Sequence, residues 1–301
     1  MKILLTGATG YVGKSLLPLL IEQGHEVRCL VRSPDAANAP KASTGIEVVQ
    51  GDATQVDTLV PALQGCQVAY YFIHSMDGSG EFAARDRICA ENFKQAASTA
   101  GLEGIIYLSG LANSKREDLS EHLKSRQEVG RILRSGSVPC TEFRAAMVIG
   151  DESLSFKMVM HLCHRLPIMI CPKWLSTPTQ PIAIGDLLQY LIVCLPLAKE
   201  GSQVVEVGGR DQTTMLRILR EYCRQRGLRR FMVPVPLLSP KLSSHWLALV
   251  TPETAEVGKS LVDGLRHPTV VRNGETAERF GIQPCSMSEA IAEALAHQEQ
   301  A

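Results

Sequence analysis

The chain has 301 residues, of which 45% are hydrophobic and 21% are charged. This composition is typical of globular proteins and excludes a disordered or fibrous chain. Lysine plus arginine and aspartate plus glutamate both number 31, so the formal net charge is zero. Because no overall field would attract nucleic acid or an anionic membrane, the composition favours a small-molecule ligand over a nucleic-acid partner.

The nine cysteines are odd in number and include no Cys-x-x-Cys pair, which disfavours a disulfide framework or a zinc ribbon and favours a reducing cytoplasm. They are Cys29, Cys66, Cys89, Cys140, Cys163, Cys171, Cys194, Cys223 and Cys285. The start of the chain lacks the cleavage pattern of a signal peptide. The longest apolar stretch, Leu187–Ala198, is interrupted by Gln189 and Pro196 and is shorter than the ~20 residues that span a bilayer. We therefore expect a cytoplasmic protein without a membrane span.

Short apolar runs alternate with helical periods through the first 150 residues. The predicted strands are Ile3–Leu5, Glu26–Val31, Ile46–Gln50, Val68–Ile73, Ile105–Leu108 and Cys140–Ile149. The predicted helices between them are Tyr11–Gln23, Gln55–Gln64, Phe82–Ala100 and Leu119–Leu133. Strands that are apolar on both faces and alternate with helices indicate a parallel sheet covered on each side. Right-handed crossovers then give an α/β, doubly wound sheet.

After Gly150 the alternation is less regular, which predicts a smaller, irregular second lobe. In chain order we expect a helix at Ser153–Arg165, a loop at Pro167–Pro181, a helix at Leu187–Leu195 capped by Asp186, a strand at Val204–Val207, a helix at Thr213–Arg226, no regular element at Phe231–Pro240, and a final helix at Ser286–His297. The predicted domains are therefore residues 1–150 and residues 151–301, with the second packed over the carboxyl edge of the sheet.

A glycine-rich turn joins the first predicted strand to the first helix. Its residues are Thr6, Gly7, Ala8, Thr9, Gly10, Tyr11, Val12 and Gly13. Gly7 permits a tight turn, Gly10 lets the backbone approach a pyrophosphate, and Gly13 allows the helix to pack closely. The free N–H groups and the dipole at the helix start attract phosphates. In this strand–turn–helix context the pattern predicts a dinucleotide site, against the alternative of a turn without a ligand.

Arg32 follows the second predicted strand, 19 residues after Gly13. An NAD-preferring site would have an acidic residue there to bind the ribose hydroxyls, whereas arginine suits a 2′-phosphate. Arg32, assisted by Ser33, therefore predicts that NADP(H) is preferred over NAD(H), while Arg28 is a competing candidate and a solvated strand-end charge is the alternative. After the third strand, Asp52 is placed to accept a hydrogen bond from adenine, or simply to cap the next helix.

Several of these segments resemble the extended and atypical short-chain dehydrogenase/reductases. They are TGATGYVG at residues 6–13, VRSP at 31–34, GDATQVDTL at 51–59, IIYLSG at 105–110, FRAAMVIG at 143–150 and TPTQPIAIGDL at 177–187. The chain is most similar to the NmrA-like atypical branch of NAD(P)-binding proteins. The resemblance implies a Rossmann domain that binds NADP(H) and a substrate held in the carboxyl-terminal lobe. The position after the third strand itself places the backbone of Ala53 beside the adenine contact expected of Asp52.

The resemblance also shows where this chain departs from the family pattern. Active members usually carry a serine and a Tyr-x-x-x-Lys, in which the tyrosine donates a proton and the lysine holds the ribose. No tyrosine occurs between Tyr107 and Tyr190, and the corresponding helix has His122 and Arg126 at the tyrosine and lysine positions. The two lie on one helix face. Arg126 could hold the ribose and His122 could donate a proton, or both could be ordinary polar residues of a surface helix.

Other polar residues are expected at the carboxyl edge of the sheet. Ser109, at the end of the fifth strand, could orient a substrate carbonyl or the nicotinamide, with Ser114 as the alternative. Capping the backbone is the structural interpretation of either hydroxyl. His74 ends the fourth predicted strand and would lie near the pyrophosphate or the nicotinamide ribose. Asn92, in the third helix, is expected to satisfy buried backbone groups.

Three further features carry weaker signals. His161, His164 and Cys171 match no zinc spacing, so we expect no metal site. Residues 210–230 hold seven arginines against Asp211 and Glu221, a local charge of +5, which usually marks a solvated helix face. Residues 231–250, which include Lys241 and Trp246, could line an apolar substrate pocket or contact a partner.

Two functions remain open from the sequence. The first is an NADPH-dependent oxidoreductase that reduces a small apolar carbonyl or enone, held between Ser109, His122 and the loop near Trp174. The second is a catalytically weak or inactive protein that senses NADP(H) and reports its binding to a partner. A homodimer or a protein partner fits either function.

Overall fold

The structure is a computed structural model that describes residues 1–74, 82–114, 119–235 and 267–300. The chain divides into two compact units. The first comprises residues 1–110, 125–144 and 188–205, and the second comprises residues 111–124, 145–187 and 206–301. Sequence analysis placed a single boundary at residue 150. In the structure the segment 188–205 belongs to the first unit, so the division is not contiguous.

The strands in chain order are β1 (Lys2–Thr6), β2 (Glu26–Val31), β3 (Ile46–Gln50), β4 (Val68–Tyr71), β5 (Gly104–Gly110), β6 (Cys140–Ala145), β7 (Val148–Ile149), β8 (Ile168–Pro172), β9 (Pro178–Thr179), β10 (Ile182–Ala183), β11 (Gln203–Val207), β12 (Thr213–Thr214) and β13 (Phe231–Val235). The helices are α1 (Tyr11–Glu22), α2 (Val56–Leu63), α3 (Phe82–Thr99), α4 (Glu121–Arg134), α5 (Leu154–Arg165), α6 (Ile184–Val193), α7 (Met215–Gln225), α8 (Thr276–Arg279) and α9 (Met287–Gln300).

A seven-stranded sheet forms the centre of the first unit, in the order β11-β6-β5-β4-β1-β2-β3. The pairs β1–β2, β2–β3, β1–β4 and β4–β5 are parallel. The chain passes from β3 across to β4 on the far side of β1, so the strand order reverses between β1 and β4. In open α/β sheets, ligands bind at the carboxyl ends of the strands beside such a reversal. The predicted doubly wound Rossmann fold is confirmed.

The core of the first unit covers one face of this sheet with α2, α3 and α4. Leu4, Tyr71 and Tyr107 project from the strands against Phe93 of α3 and Leu133 of α4, and all five are essentially inaccessible to solvent. Apolar burial on this scale stabilises the unit by roughly 25 cal/mol per Å² of apolar surface. It also fixes the positions of the polar residues on the same face.

The second unit has its own core, which α5, α7 and α9 form with strands β7, β8 and β10. Phe156 of α5, Leu219 and Tyr222 of α7, Met169 of β8 and Ile291 of α9 are among its buried members. β7 pairs with β10 and β8 pairs with β13 in parallel, whereas β9 pairs with β12 in antiparallel orientation. The unit is therefore smaller in its sheets and less regular, as the sequence indicates.

The structure corrects four expectations about the elements. The sixth strand ends at Ala145, because the chain then leaves the central sheet and Val148–Ile149 pairs with β10 instead. The expected loop at Pro167–Pro181 contains β8 and β9, and the expected irregular segment at Phe231–Pro240 begins with β13. The strand expected at Val204–Val207 in the second lobe is β11, which extends the central sheet beyond β6.

Asp186 does not cap the sixth helix, because α6 begins two residues earlier, at Ile184. Its carboxylate instead accepts a hydrogen bond of 2.9 Å from the backbone N–H of Cys285. Among the described residues, no helix is long and apolar enough to cross a membrane.

Candidate functional site

The glycine turn lies at the end of β1, beside β4. Gly7 has φ +69°, and a Cβ on it would lie 2.8 Å from the carbonyl oxygen of Phe72. A Cβ on Gly13 would lie 2.2 Å from the carbonyl oxygen of Gly7. The start of α1 therefore packs directly against the backbone of the turn. Side chains are excluded at both positions by backbone atoms that cannot move aside.

Gly10 caps α1 without a side-chain hydrogen bond. Its N–H donates to Gly7 O at 2.9 Å, and its carbonyl accepts from Lys14 N at 2.8 Å. Thr9 and Gly10 are exposed, while Tyr11 and Val12 are half-buried. The helix thus begins with exposed backbone and no side chain above it, which is the arrangement in which helix N-terminal amides bind phosphate.

Thr6 is buried and serves the scaffold beneath this turn. Its hydroxyl donates to Tyr70 O at 3.0 Å and accepts from Phe72 N at 2.9 Å. Both bonds join β1 to β4, the two strands between which the strand order reverses. The side chain therefore holds the crevice in shape instead of pointing into it.

Arg32 and Asp52 lie at the carboxyl ends of β2 and β3. Asp52 Oδ1 accepts hydrogen bonds of 2.8 Å from both the backbone N–H and the hydroxyl of Thr54. These bonds, together with the positive charges of Arg32 and Arg85, hold the pKa of the Asp52 carboxyl below its usual value, against the opposing effect of burial. Arg32 is exposed, as is Ser33 after it. The edge therefore presents two guanidinium groups, from Arg32 and from Arg85 of α3, around one carboxylate.

Arg85 was missed by sequence reasoning. It belongs to a separate helix, and the spacing along the chain gives no sign that α3 brings a positive charge near Asp52. The structure also separates Arg32 from its competitor. Arg28 Nη1 donates to Ala62 O and Gln64 O at 2.8 Å each, at the carboxyl end of α2, and Arg28 Nε lies 2.9 Å from Glu47. Arg28 is therefore committed to the scaffold.

Ala53 is buried beside Asp52, and its carbonyl accepts a hydrogen bond of 3.0 Å from Asn92 Nδ2 of α3. Asn92 thus satisfies a buried backbone group, which is the role the sequence suggested. With the carbonyl engaged, the N–H of Ala53 is the backbone group that could contact a base.

Ser109 and Arg126 are buried near the carboxyl end of β5. The Arg126 guanidinium donates to Leu108 O and lies over the Tyr107 ring, 5.5 Å from its centroid. The Tyr107 hydroxyl donates to Arg126 O at 2.9 Å. The hydroxyl of Ser109 is buried and makes no hydrogen bond of normal geometry within the described part of the chain, but it lies close enough to the Tyr107 hydroxyl to lower the pKa of that phenol. Since burying a hydroxyl with poor hydrogen bonding costs about 1–3 kcal/mol, Ser109 Oγ is the polar atom of this group that could gain a better partner.

Three further polar residues share this buried face. The Ser125 hydroxyl donates to the buried carboxylate of Asp86 at 3.1 Å. The Tyr71 hydroxyl is buried and lacks a partner among the described residues. Burial raises the pKa of Tyr71 well above its usual value, and burial raises the pKa of Tyr107 to about 12 despite the nearby charge of Arg126. Both phenols therefore stay protonated at neutral pH.

Sequence reasoning missed this group, although one signal was present. Asp86 lies four residues after Phe82 and three before Cys89, on the apolar stripe of the third helix. A carboxylate on a buried stripe requires partners. That position alone could have indicated a polar cluster beneath β4 and β5.

The two candidate histidines lie after β4 and at the start of α4. His74 is exposed and lies three residues after β4, which ends earlier than expected. His122 is half-buried in the first turn of α4, four residues before Arg126.

Ser114 belongs to the second unit, where its hydroxyl lies 2.9 Å from His267 Nδ1. Trp174 follows β8, and its indole N–H is buried without an acceptor among the described residues.

The described residues contain no group of three potential metal ligands. His164 Nε2 lies 2.9 Å from the Tyr222 hydroxyl, and Cys171 is buried in β8. Burial, followed by the charges of Arg226 and Arg230, lowers the pKa of His164. Its ring therefore serves the packing between α5 and α7.

Residues 7–148 match the family model of NAD(P)H-binding domains. This part of the chain is therefore similar to NAD(P)H-binding domains, as the sequence resemblance implies. The chain is similar to the Photosystem II assembly factor Ycf39 of Trieres chinensis, at 23% identity over 248 residues, or 81% of this chain and 75% of that protein. It is also similar to a 3 beta-hydroxysteroid dehydrogenase/Delta 5→4-isomerase of Mycobacterium tuberculosis, at 28% identity over 115 residues, or 38% of this chain and 30% of the relative.

Among solved structures, the chain is similar to the NADPH-dependent quinone oxidoreductase of Escherichia coli complexed with NADPH. The TM-score is 0.72 at 21% identity, covering 97% of this chain and 99% of that one. At this identity the likeness shows the fold. The chain spans less than a third of the length of the matched steroid dehydrogenase.

Proposed function

We propose that this protein is an NADPH-dependent oxidoreductase that reduces a small apolar carbonyl or enone. The observation that carries the proposal is the glycine turn beside β4, where α1 begins with exposed backbone at Thr9 and Gly10 and no side chain above it. A turn that excludes side chains at the start of a helix fits a dinucleotide pyrophosphate. Arg32 at the end of β2, joined by Arg85, supports a preference for the 2′-phosphate of NADP(H).

The names of similar proteins support the reaction class. One relative is named for the dehydrogenation of a hydroxysteroid, and one structural neighbour is named for the NADPH-dependent reduction of a quinone, so both names describe oxidation or reduction at a carbon–oxygen group. In the present chain, NADPH would supply the hydride. Ser109 Oγ would donate a hydrogen bond to the substrate oxygen, His122 would supply the proton, and Arg126 would hold α4 in place through its bonds to β5.

The proposal is tested by NADPH oxidation against a panel of apolar aldehydes, enones and quinones. Ser109→Ala should lower kcat/KM for an accepted substrate by about 10²-fold, and His122→Gln by about 10²–10⁴-fold, because each removes a donor to the reacting oxygen. Ser114→Ala is the matched control and should retain activity. Turnover of no compound despite NADPH binding would contradict the oxidoreductase assignment and leave the cofactor site intact.

A second candidate function is an NADP(H) sensor of the NmrA-like type, which reports cofactor binding to a partner protein. The helix has His122 and Arg126 in place of Tyr-x-x-x-Lys, and the Arg126 guanidinium is already engaged by Leu108 O and Tyr107. The similarity to an assembly factor fits this role. A pull-down with and without NADPH tests it, and identical partners under both conditions would contradict it.

All nine cysteines are free thiols, which supports the reducing cytoplasm as the proposed location.

A further inference from the structure

The small β8–β13 sheet of the second unit exposes one apolar face. Ile168 and Ile170 of β8 are 59% and 41% exposed, and Phe231 and Val233 of β13 are 73% and 45% exposed. The register pairs Phe231 with Ile168 and Val233 with Ile170, so the four side chains adjoin one another. Among the described residues, nine large apolar side chains are exposed, and four of them lie on this face. We call these four residues the apolar face.

The opposite face of the same sheet explains why these side chains cannot turn inward. Met169 and Cys171 of β8 are buried, and Met232 packs against the same core cluster, which includes Leu219 and Cys223 of α7. Side chains alternate along a strand, so the residues between them must face away from that core. The exposure is therefore fixed by the strand register.

The chain around the apolar face is uniformly basic. Residues 163–174 and 222–235 contain Arg165, Lys173, Arg224, Arg226, Arg229 and Arg230, and no aspartate or glutamate. Beside β13 lies an open cavity of about 580 Å³ between the strand and α7, with Arg220, Arg224 and Arg229 in its lining. The whole chain has zero net charge, so this concentration of cations is local.

Not all of these arginines are available to a ligand. Arg224 forms two hydrogen bonds with Glu221, at 2.8 and 2.6 Å. Arg230 donates to Cys163 O and His164 O at the carboxyl end of α5. Arg220 and Arg229 make no ion pair with any described residue, and the charge of Arg220 reaches β8, where it opposes the effect of burial on the pKa of Cys171. Two guanidinium groups that have no ion pair among the described residues, Arg220 and Arg229, therefore line the same cavity as Phe231 of the apolar face.

We propose that the apolar face, with Arg220 and Arg229, docks on an anionic lipid surface. Phe231 and its three neighbours would enter the boundary between headgroups and acyl chains, and the cavity beside β13 would receive lipid phosphate. Exposed apolar side chains with arginines close by are the combination that binds peripheral proteins to anionic membranes. The proposal concerns the second unit and does not depend on the proposed enzymatic function.

Charge and backbone geometry disfavour the other occupants. A second copy related by a two-fold axis would bring the same basic rim against itself. Addition of a strand to the free edge of β13 is also disfavoured. Because Phe231 N donates to Pro167 O, the backbone N–H groups of alternate residues point towards β8, and the backbone nitrogen of Pro234 points to the outer edge. Proline has no N–H to offer an added strand there.

The test is sedimentation of the full chain with vesicles of phosphatidylcholine alone and of phosphatidylcholine mixed with phosphatidylglycerol. We expect binding to the mixed vesicles that weakens as salt is raised. Phe231→Ser should weaken this binding about tenfold or more, because a buried phenylalanine contributes about 1.5–3 kcal/mol. Arg229→Ala should weaken it about fivefold, and only on the anionic vesicles, from about 1 kcal/mol per arginine.

Matched controls come from the first unit. Ile88→Ser on α3 removes a side chain that is 51% exposed, and Arg131→Ala removes an exposed arginine of α4, and both should bind vesicles as the wild type does. Val233→Ser gives a second test of the apolar face, and unchanged thermal unfolding of each variant shows that it folds. Absent vesicle binding, or equal binding of Phe231→Ser and Ile88→Ser, would overturn the proposal. The proposal would also be overturned if the wild-type protein formed a dimer that Phe231→Ser abolishes, while neither the wild type nor the variant bound vesicles.

Discussion

Gly10 and Gly13 are both turn glycines, but they serve different purposes. A Cβ on Gly13 would overlap the Gly7 carbonyl at 2.2 Å, whereas a Cβ on Gly10 would meet the same oxygen at 3.3 Å and faces exposed space. Gly13 is therefore required for the helix to pack against the turn, whereas Gly10 leaves room for a ligand. The two roles can be separated by experiment.

Gly13→Ala should destabilise the protein by about 1–3 kcal/mol, because the added methyl group forces backbone atoms apart. Gly10→Ala should leave the free energy of unfolding nearly unchanged and weaken NADPH binding by at least about tenfold, because its Cβ would stand where phosphate oxygens approach. Urea unfolding and NADPH fluorescence titration measure the two quantities. A Gly10→Ala variant with wild-type affinity would place the pyrophosphate elsewhere.

Arg32 should decide between the two nicotinamide cofactors. Arg32→Ala should weaken NADPH binding about tenfold or more and leave NADH binding unchanged, because a charged hydrogen bond to phosphate contributes about 1.5–3 kcal/mol. Arg28→Ala is the control, since Arg28 is committed to α2 and Glu47. It should lower stability while preserving the ratio of the two affinities. An unchanged ratio in Arg32→Ala would remove Arg32 from the site.

At the scale of elements, Glu221 joins α7 to α9. Its carboxylate accepts from Arg224 and from the Ser288 hydroxyl at 2.6 Å each. These hydrogen bonds, Arg224 first, lower the pKa of Glu221 to about 2. The contact is strongest when the carboxylate is charged, so its contribution to stability is complete above the unfolded-state pKa of about 4.5 and is lost as the pH falls towards 2.

Glu221→Gln should therefore reduce the free energy of unfolding by about 1 kcal/mol at neutral pH, a value discounted for solvent screening. The difference from the wild type should shrink between about pH 4.5 and pH 2. Glu293→Gln, at an exposed residue of the partner helix α9, is the control and should show no such trend. If the difference in free energy of unfolding between the wild type and Glu221→Gln stayed constant with pH, the charge of Glu221 would not contribute to the contact between α7 and α9.

The elements that sequence predicted best are those with a local signal. β2 and β3 have the expected bounds, and α1 begins at Tyr11 as expected, because apolar runs and a glycine turn mark them directly. β8 and β13 were missed because each lies in a proline-rich segment and is stabilised by pairing with the other, about 60 residues away. Local composition carries no information on such a pairing.

The residues of the candidate site also fall into those that the sequence could predict and those that it could not. The glycine turn and Arg32 follow from position along the chain, since both lie directly after predicted strands. Their roles as cofactor ligands stay predictions. The cluster of Asp86, Ser125 and Tyr71 could not be assembled from spacing, because α3, α4 and β4 meet only in the folded unit.

For the whole molecule, the packing predicts unreactive thiols. Eight of the nine cysteines are buried, and Cys285 is half-buried. Burial raises the pKa of Cys29 to about 12 and of Cys89 to about 11, and burial together with Asp186 raises the pKa of Cys285 to about 12. A thiol reagent at pH 8 should therefore react with less than one equivalent in the native protein and with nine after unfolding. Rapid reaction of several thiols would contradict the described cores.

The cofactor should stabilise the whole chain by mass action, because it binds the folded state only. Isothermal titration of the wild-type protein with NADPH and with NADH tests the central claim most directly. We predict that NADPH binds with a Kd at least about tenfold lower than NADH, from the 1.5–3 kcal/mol of the Arg32–phosphate contact. Equal affinities, or no heat from either nucleotide, would contradict the account.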